Sequence, residues 1–210
     1  MLPHNNNSTN EKGIEYLLVE GMDLAGKSTL NRKLVEDGLF KEKRHNSICE
    51  SGHNEIYLFT DKLRLTRNYT PEILGPMYVS ALLEDIRNFS YPKVPTVQDS
   101  TIILRSLAFN KVMGIKSVVR SLEEVAEKHP KFSRAVLLTA DIKTRQKRLQ
   151  MRINEAPETV AEDDLMVLKK PEKFIAMEQY LVSFGKKYFH TKVIDTTDLS
   201  PDEVMKIALA

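Results

Sequence analysis

The sequence lacks several features that define other classes of protein. Cys49 is its single cysteine, so the chain can form neither an internal disulfide nor a thiolate zinc cage, and we expect a reducing compartment, the cytoplasm. Its longest apolar runs, such as YLLVEGM and IILRSLAF, are far shorter than the roughly 18 residues of a membrane-spanning helix. The 31 basic and 29 acidic residues nearly cancel, which gives no argument for a nucleic acid polymer or a membrane as partner.

The first 13 residues, MLPHNNNSTNEKG, are polar and contain neither the apolar core of a signal peptide nor an arginine-rich amphipathic pattern. We expect a disordered lead-in at residues 1–13, followed by one domain over residues 14–210. Hydrophobic residues make up 41% of the chain, enough for a substantial core in such a domain.

Short apolar runs alternate with longer segments of helical period, a pattern typical of a parallel sheet covered by helices on both faces. The sequence therefore predicts the α/β class, in three α/β/α layers with a five-stranded parallel sheet. The predicted strands are IEYLLVE, NSICE, VPTVQ, RAVLLTA and TKVID. The predicted helices run from Lys27 towards Val35, once or twice between Glu55 and Phe89, from about Thr101 into Lys116, over SVVRSLEEVAEKH, as a long interrupted pair from Lys143 to Tyr188, and from Ser200 to the end.

The stretch GMDLAGKSTL matches the pattern G-x-x-x-x-G-K-[ST], after a predicted buried strand and at the start of a predicted helix. In that position, backbone N–H groups and the positive end of the helix dipole attract phosphate. Lys27 would bridge the terminal phosphates of a nucleotide, and the Ser28 hydroxyl would bind Mg²⁺. We expect glycine at both motif positions because a side chain there would block the approach of the anion. The predicted ATP-binding residues of this loop are Gly21, Leu24, Ala25, Gly26, Lys27, Ser28 and Thr29.

Two classes of nucleotide-binding protein compete at this point, a GTPase-like switch and a kinase. A switch requires a D-x-x-G element and an N-K-x-D guanine reader, and the nearest string, NKVM, lacks the aspartate. A kinase requires arginines on a flap that closes over the phosphates. TRQKRLQMR places Arg145, Arg148 and Arg152 on one face of a predicted helix, directly before a segment bracketed by Pro157 and Pro171. This arrangement favours a kinase with a helical lid at about residues 143–172.

From these motifs the chain resembles the thymidylate kinase family of P-loop kinases. LLVEGMDLAGKSTL is similar to the opening of that family, including the acidic residue, Asp23, two places after the first glycine. MYVSALLEDIRNF and VQDSTIILRSLAFN resemble its L-L-F-x-A-x-R and D-R-x-x-x-S-x-A-[YF]-Q segments, and ICESGHNE falls where it has R-E-P-G. The related deoxynucleoside kinases share this architecture.

The resemblance implies a role for each matching residue. Asp23 would approach the acceptor or the transferring phosphate, and Glu50 would contact the acceptor or act as a base. Arg87 would lie beside the acceptor, and Asp99 would lie near Mg²⁺. In the lid, Arg148 would lie near the adenine of ATP, and Arg145 or Arg152 would reach the phosphates. The resemblance also implies a homodimer, formed through the helices between Glu55 and Phe89.

The sequence departs from the family pattern on the acceptor side. The family's D-R pair is Asp99-Ser100 here, and ESGHN omits the arginine and the proline of R-E-P-G. Arg105, about one and a half helical turns further on, is a candidate to replace the missing cation. We therefore expect ATP and Mg²⁺ as cofactors and a nucleoside monophosphate as acceptor, with a nucleoside or another hydroxyl-bearing small molecule as the alternative. A nucleotide-binding switch is the third hypothesis.

Overall fold

A parallel β-sheet lies at the centre of the protein. The structure, a computed structural model, describes residues 13–49 and 54–210. Almost all of the lead-in expected at residues 1–13 lies outside this range. Within it, the sheet has five parallel strands in the order β2-β3-β1-β4-β5, as the sequence predicts. The strands are β1 (Tyr16–Gly21), β2 (Glu42–His45), β3 (Thr96–Asp99), β4 (Arg134–Thr139) and β5 (Lys192–Asp195).

Helices connect the strands and cover both faces of the sheet. They are α1 (Lys27–Glu36), α2 (Glu55–Thr66), α3 (Pro71–Arg87), α4 (Ile102–Val112), α5 (Lys116–Lys128), α6 (Ile142–Glu155), α7 (Met166–Lys169), α8 (Pro171–Phe189) and α9 (Pro201–Leu209). The expected helix from Thr101 into Lys116 ends earlier, because Gly114 adopts a positive φ of 76° between α4 and α5. The interrupted pair predicted from Lys143 to Tyr188 is α6 and α8, joined by residues 156–170, which we call the α6–α8 connection.

The alternating side chains of β1 divide the core into two halves. Leu18 packs on one face of the sheet with Leu107 of α4 and Leu181 of α8. Leu17 and Val19 pack on the other face, in a cluster that contains apolar residues of α1 and α9. Because successive side chains of a strand point to opposite faces, an unbroken apolar run such as YLLV fits a central strand that is covered on both sides.

The predicted second strand, NSICE, is wrong by several residues. The strand is Glu42–His45, a mostly exposed edge strand that pairs with β3 alone. Asn46 then turns the chain with a positive φ of 58°. Ile48 and Cys49 are buried after this turn, where the backbone N–H of Ile48 donates to the Asp85 carboxylate at 3.2 Å. The apolar character of NSICE therefore reflects burial in a loop held by Asp85.

All five strands end at the same edge of the sheet because they are parallel. In the register of the sheet, Val19 of β1 lies opposite Asp99 of β3, and Gly21 lies opposite Leu138 of β4. Ligands of open α/β sheets bind at this edge, beyond the carboxyl ends of the strands. Over residues 13–49 and 54–210, no helix is long and apolar enough to cross a bilayer.

Candidate functional site

The loop between β1 and α1, residues 21–26, is shaped like an anion cradle. Leu24 and Gly26 have left-handed backbones, with φ of 64° and 97°. Gly26 is the N-cap of α1, and no side chain caps the N–H groups of the first turn. Since the first N–H groups of a helix have no partner within the helix, they can donate to a bound phosphate.

The reason for Gly21 differs from the one expected from the motif. A Cβ atom at this position would lie 2.4 Å from the carbonyl oxygen of Leu138 in β4, and Gly21 has a φ of 146°. Glycine is thus required here by the close approach of two strands, whereas at Gly26 it is the positive φ that favours glycine.

Lys27 lies along the loop. Its Nζ donates to the carbonyl oxygen of Met22 at 3.1 Å and lies 3.9 Å from Oδ1 of Asp23. Burial, followed by the positive charge of Arg105, lowers the pKa of Lys27 to about 8. The ammonium group is therefore close to the position from which it could contact a phosphate bound by the loop.

Arg105 of α4 reaches the same loop from the other side. Its Nη2 donates to the carbonyl oxygen of Gly21 at 3.0 Å and to Oδ1 of Asp23 at 3.4 Å. Its Nε lies 3.6 Å from Oε1 of Glu20, a fully buried carboxylate that also accepts hydrogen bonds from the backbone N–H groups of Gly21 and Thr101. Burial alone would raise the pKa of Asp23, but Arg105 and Lys27 outweigh it and hold that pKa below its usual value. Arg105 thus lies next to Asp23, and its expected role in place of the missing cation after Asp99 stays a prediction.

The three arginines share one face of α6, as their spacing predicts, but they differ in role. Nη1 of Arg148 donates to the carbonyl oxygen of Leu24 at 2.9 Å, and its Nη2 donates to the carbonyl oxygen of Thr196 at 2.8 Å. Arg152 is partly exposed and pairs with Asp164 of the α6–α8 connection at 3.1 Å. These two side chains remain candidates for contact with a nucleotide.

Arg145 does not fit the expected role of a lid arginine that reaches the phosphates. Its side chain is 1% exposed. Its guanidinium donates to the carbonyl oxygens of Ala140 and Asp23 and to the Glu178 carboxylate, and it lies over the Phe174 ring. Because these partners use its donors on three sides, Arg145 supports the loop from beneath and is not free to meet a substrate in this conformation.

A first cavity, of about 360 Å³, lies between the loop, α6 and the start of α9. Its lining includes Leu24, Ala25, Gly26, Thr29, Arg148, Arg152, Thr196, Leu199, Pro201 and Val204. The last four residues were not expected from the sequence. They come from the β5–α9 segment, where the only recognised signal was the Ser-Pro helix start, now seen as a capping box between Ser200 and Glu203.

A second cavity, of about 440 Å³, lies on the opposite side of the loop. Its lining includes Met22, Asp23, His45, Asn46, Tyr57, Asp61, Arg64, Leu74, Gly75, Tyr78, Arg105, Ser106, Phe109, Asn110, Asp163, Met166 and Met177. Apart from Asp23 and Arg105, none of these residues is among the site residues predicted from the sequence. The loop separates the two cavities, with Leu24 to Gly26 on one side and Met22 and Asp23 on the other.

Asp99 ends β3 next to the loop. Its Oδ2 lies 2.7 Å from Nζ of Lys43 and 3.6 Å from Nδ1 of His45, both on β2. Burial would raise the pKa of Asp99, but hydrogen bonds and charge from His45 and Lys43 hold it well below its usual range. The carboxylate is therefore ionised at neutral pH, as a metal ligand must be.

One residue assigned by the resemblance is not part of this arrangement. Arg87 is exposed in the last turn of α3 and lines neither cavity, because the second cavity is bounded by the first turns of that helix, at Leu74, Gly75 and Tyr78. Glu50 lies outside the described residues.

Solved structures with the same fold include those of kinases. No family model matches the chain, and no curated protein matches it either. Thymidylate kinase from Candida albicans superimposes with a TM-score of 0.65 at 13% identity, over 92% of this chain and 88% of that one. Deoxyadenosine kinase from M. mycoides with bound dATP superimposes with a TM-score of 0.57 at 15% identity, over 92% of this chain and 97% of that one. The YorR protein from Bacillus subtilis, in complex with phosphorylated GDP, superimposes with a TM-score of 0.50 at 18% identity, over 92% of this chain and 93% of that one. At such identities the likeness shows a shared fold.

Proposed function

We propose that the protein is an ATP- and Mg²⁺-dependent kinase that transfers the γ-phosphate to a small acceptor, a nucleoside or a nucleoside monophosphate. The observation that supports this most strongly is the pair of cavities on opposite sides of one phosphate-binding loop. Asp23 lies in that loop and lines the second cavity, and Lys27, the first residue of α1, lies 3.9 Å from it. A kinase needs donor and acceptor in this arrangement, because phosphoryl transfer depends mainly on positioning and charge neutralisation.

The first cavity suits the donor nucleotide. Its floor is the loop with the uncapped start of α1, which can bind phosphates through N–H groups and the helix dipole. Arg148 and Arg152 also line this cavity and can neutralise further negative charge. Lys27, which already lies along the loop, would contact the terminal phosphates.

The residues present also fit Mg²⁺. Among the described residues, no group of three or more His, Cys, Asp or Glu side chains is arranged to hold a metal ion. Mg²⁺ in kinases needs no such group, since it binds to one or two protein oxygens and completes its coordination with phosphates and water. The Ser28 hydroxyl and the ionised Asp99 carboxylate would supply the protein oxygens. When bound, Mg²⁺ would neutralise charge on the phosphate oxygens.

The second cavity suits the acceptor. Tyr57 and Tyr78 line it with ring centroids 6.3 Å apart, and Phe109 adds a third ring. Such apolar and aromatic walls, with a few charged groups, are typical of small-molecule sites. Thymidylate kinase, deoxyadenosine kinase and YorR share the fold, which supports a nucleoside or nucleotide as the acceptor. Asp23, at the loop, would then lie beside the reacting group.

The proposal is tested by incubating the protein with ATP, Mg²⁺ and a panel of nucleosides and nucleoside monophosphates. We expect acceptor-dependent formation of ADP and of one phosphorylated product. The variant Lys27→Ala should lower turnover by at least two to three orders of magnitude, the usual effect of removing a charge that stabilises the transition state. Exposed Lys147, on α6, provides the matched control Lys147→Ala, which should keep the wild-type rate. Slow hydrolysis of GTP or ATP that requires no acceptor would favour a switch instead.

A homodimer also remains a proposal. Phe59 and Leu65 of α2 and Ile73 of α3 are more than half exposed in the single chain, which supports an interface on these helices. Sedimentation equilibrium should give twice the mass of the chain, and a Phe59→Glu variant should lower it to the mass of one.

A further inference from the structure

The charged side chains that line the second cavity already pair with one another, and carboxylates outnumber guanidinium groups. Its described lining residues include three carboxylates, those of Asp23, Asp61 and Asp163, and two guanidinium groups, those of Arg64 and Arg105. His45 also lines the cavity, with a largely exposed ring beside Asp99. Formal negative charge thus exceeds the formal positive charge of the arginines around this space.

Arg64 pairs with two carboxylates at the end of the cavity formed by α2 and the α6–α8 connection. Its Nε donates to Oδ1 of Asp61 at 2.7 Å, and its Nη1 donates to Oδ2 of Asp163 at 2.9 Å. Burial would lower the pKa of Arg64, but these carboxylates raise it above its usual value. An incoming anion would compete with these two carboxylates for Arg64.

Arg105 also pairs with two carboxylates, beside the loop, although its Nε makes no hydrogen bond. It contacts the carbonyl oxygen of Gly21 and the carboxylates of Asp23 and Glu20 at 3.0, 3.4 and 3.6 Å. Asp23 itself faces the cavity as an ionised carboxylate. A phosphate monoester bound here would place about two negative charges next to Asp23, and the nearest guanidinium is already shared between two carboxylates.

We propose that the second cavity takes a neutral, unphosphorylated acceptor whose hydroxyl group points towards Asp23. The proposal rests on the kinase function and names its class of substrate. A neutral acceptor needs no cation from the cavity, and the carboxylates of Asp61 and Asp163 at the far end favour a ligand that carries N–H or O–H donors, such as a nucleoside.

The reaction that follows from this placement balances with the groups at hand. The acceptor's hydroxyl oxygen forms a bond to the γ-phosphorus, and the bond from that phosphorus to the β,γ-bridging oxygen breaks. The bridging oxygen leaves with the electron pair as part of ADP. The hydroxyl proton passes to the Asp23 carboxylate and from there to solvent. A phosphate acceptor would need no such base.

The first test compares each nucleoside with its own 5′-monophosphate as acceptor, at saturating ATP and Mg²⁺. We expect kcat/KM for the nucleoside to exceed that for the monophosphate at least tenfold. Turnover of monophosphates in preference to nucleosides would overturn this inference and leave the kinase function intact. Absence of Lys27-dependent transfer to either group, and to other hydroxyl compounds, would overturn the kinase function itself.

The second test measures binding instead of turnover, with the variant Asp23→Asn. Removing this carboxylate leaves Arg105 with Glu20 as its remaining carboxylate partner, and removes the negative charge that faces the acceptor. We expect the affinity for the monophosphate, relative to the nucleoside, to rise about tenfold, which corresponds to about 1.4 kcal/mol. The matched control is Asp37→Asn, the same charge change at the exposed C-terminal end of α1, which should leave the ratio unchanged. If Asp23→Asn changed the affinities for the nucleoside and for the monophosphate by the same factor, the proposal would be contradicted.

Discussion

Arg145 provides a sharp test of the structure, because its burial predicts a large loss of stability on substitution. In Arg145→Ala, the hydrogen bonds to the carbonyl oxygens of Ala140 and Asp23 disappear, and the Glu178 carboxylate, 17% exposed, loses its cation. Burial raises the pKa of Glu178 even with Arg145 present. Breaking a buried ion pair by removal of one partner costs about 3–5 kcal/mol. For a domain of this size, such a loss lowers Tm by roughly 10 °C.

Urea unfolding at pH 7.5 measures this loss, with Lys147→Ala on the exposed side of the same helix as control. The control should change the free energy of unfolding by less than about 0.5 kcal/mol. A double variant, Arg145→Met with Glu178→Leu, should recover most of the stability, since apolar replacement of a buried ion pair is often neutral or stabilising. The structural role is refuted if the free energy of unfolding of Arg145→Ala lies within about 1 kcal/mol of the wild-type value while the rate of phosphoryl transfer falls a hundredfold or more. Arg145 would then be a catalytic residue.

Three further predictions concern single residues. The pKa of Lys27 is about 8 without ligand, so above that pH the binding of ATP requires uptake of a proton. Calorimetry should show the affinity for ATP falling by up to about tenfold per pH unit above pH 8. Lys27→Met should remove this dependence on pH. Burial lowers the pKa of His129 from 6.5 to about 4, so the unfolded chain takes up the proton first as the pH falls. Between pH 7 and 5, urea unfolding should therefore show a loss of about 2 kcal/mol in the wild type that is absent from His129→Phe. Equal losses in both proteins would contradict this cause. In the same assay, Gly21→Ala should lower the free energy of unfolding by more than about 2 kcal/mol, because the new Cβ would lie 2.4 Å from the carbonyl oxygen of Leu138. Gly38→Ala, at a φ of 71° but with open space around it, should lower it by about 1 kcal/mol. Similar values for the two variants would exclude the clash as the cause.

The central strands and the loop could be predicted because their signals are local. An unbroken apolar run, two glycines and a following Lys-Ser are determined by the backbone geometry of one strand, one turn and one helix start. The fold class and the five parallel strands were predicted correctly on this basis. The position of β2 was not, because Ile48 and Cys49 are buried through a hydrogen bond of their loop to Asp85, 37 residues away from Ile48.

The parts of the site that the sequence did not reveal depend on distant segments. Arg145 has the same helical spacing as Arg148, but only the approach of Glu178 from α8 turns it into a buried support. The cluster at the far end of the second cavity likewise joins Asp61 and Arg64 of α2 to Asp163, about a hundred residues further on. Residue spacing within one helix carries no information about such partners.

The most direct test of the central claim is the ratio of ADP formed to phosphorylated acceptor formed in a single reaction with γ-labelled ATP. Transfer across the loop from one cavity to the other predicts a ratio of one, with the label in the acceptor. In Lys27→Ala, formation of the labelled acceptor should not exceed background. Label released only as inorganic phosphate, at a rate unaffected by any acceptor or by Lys27→Ala, would contradict the account.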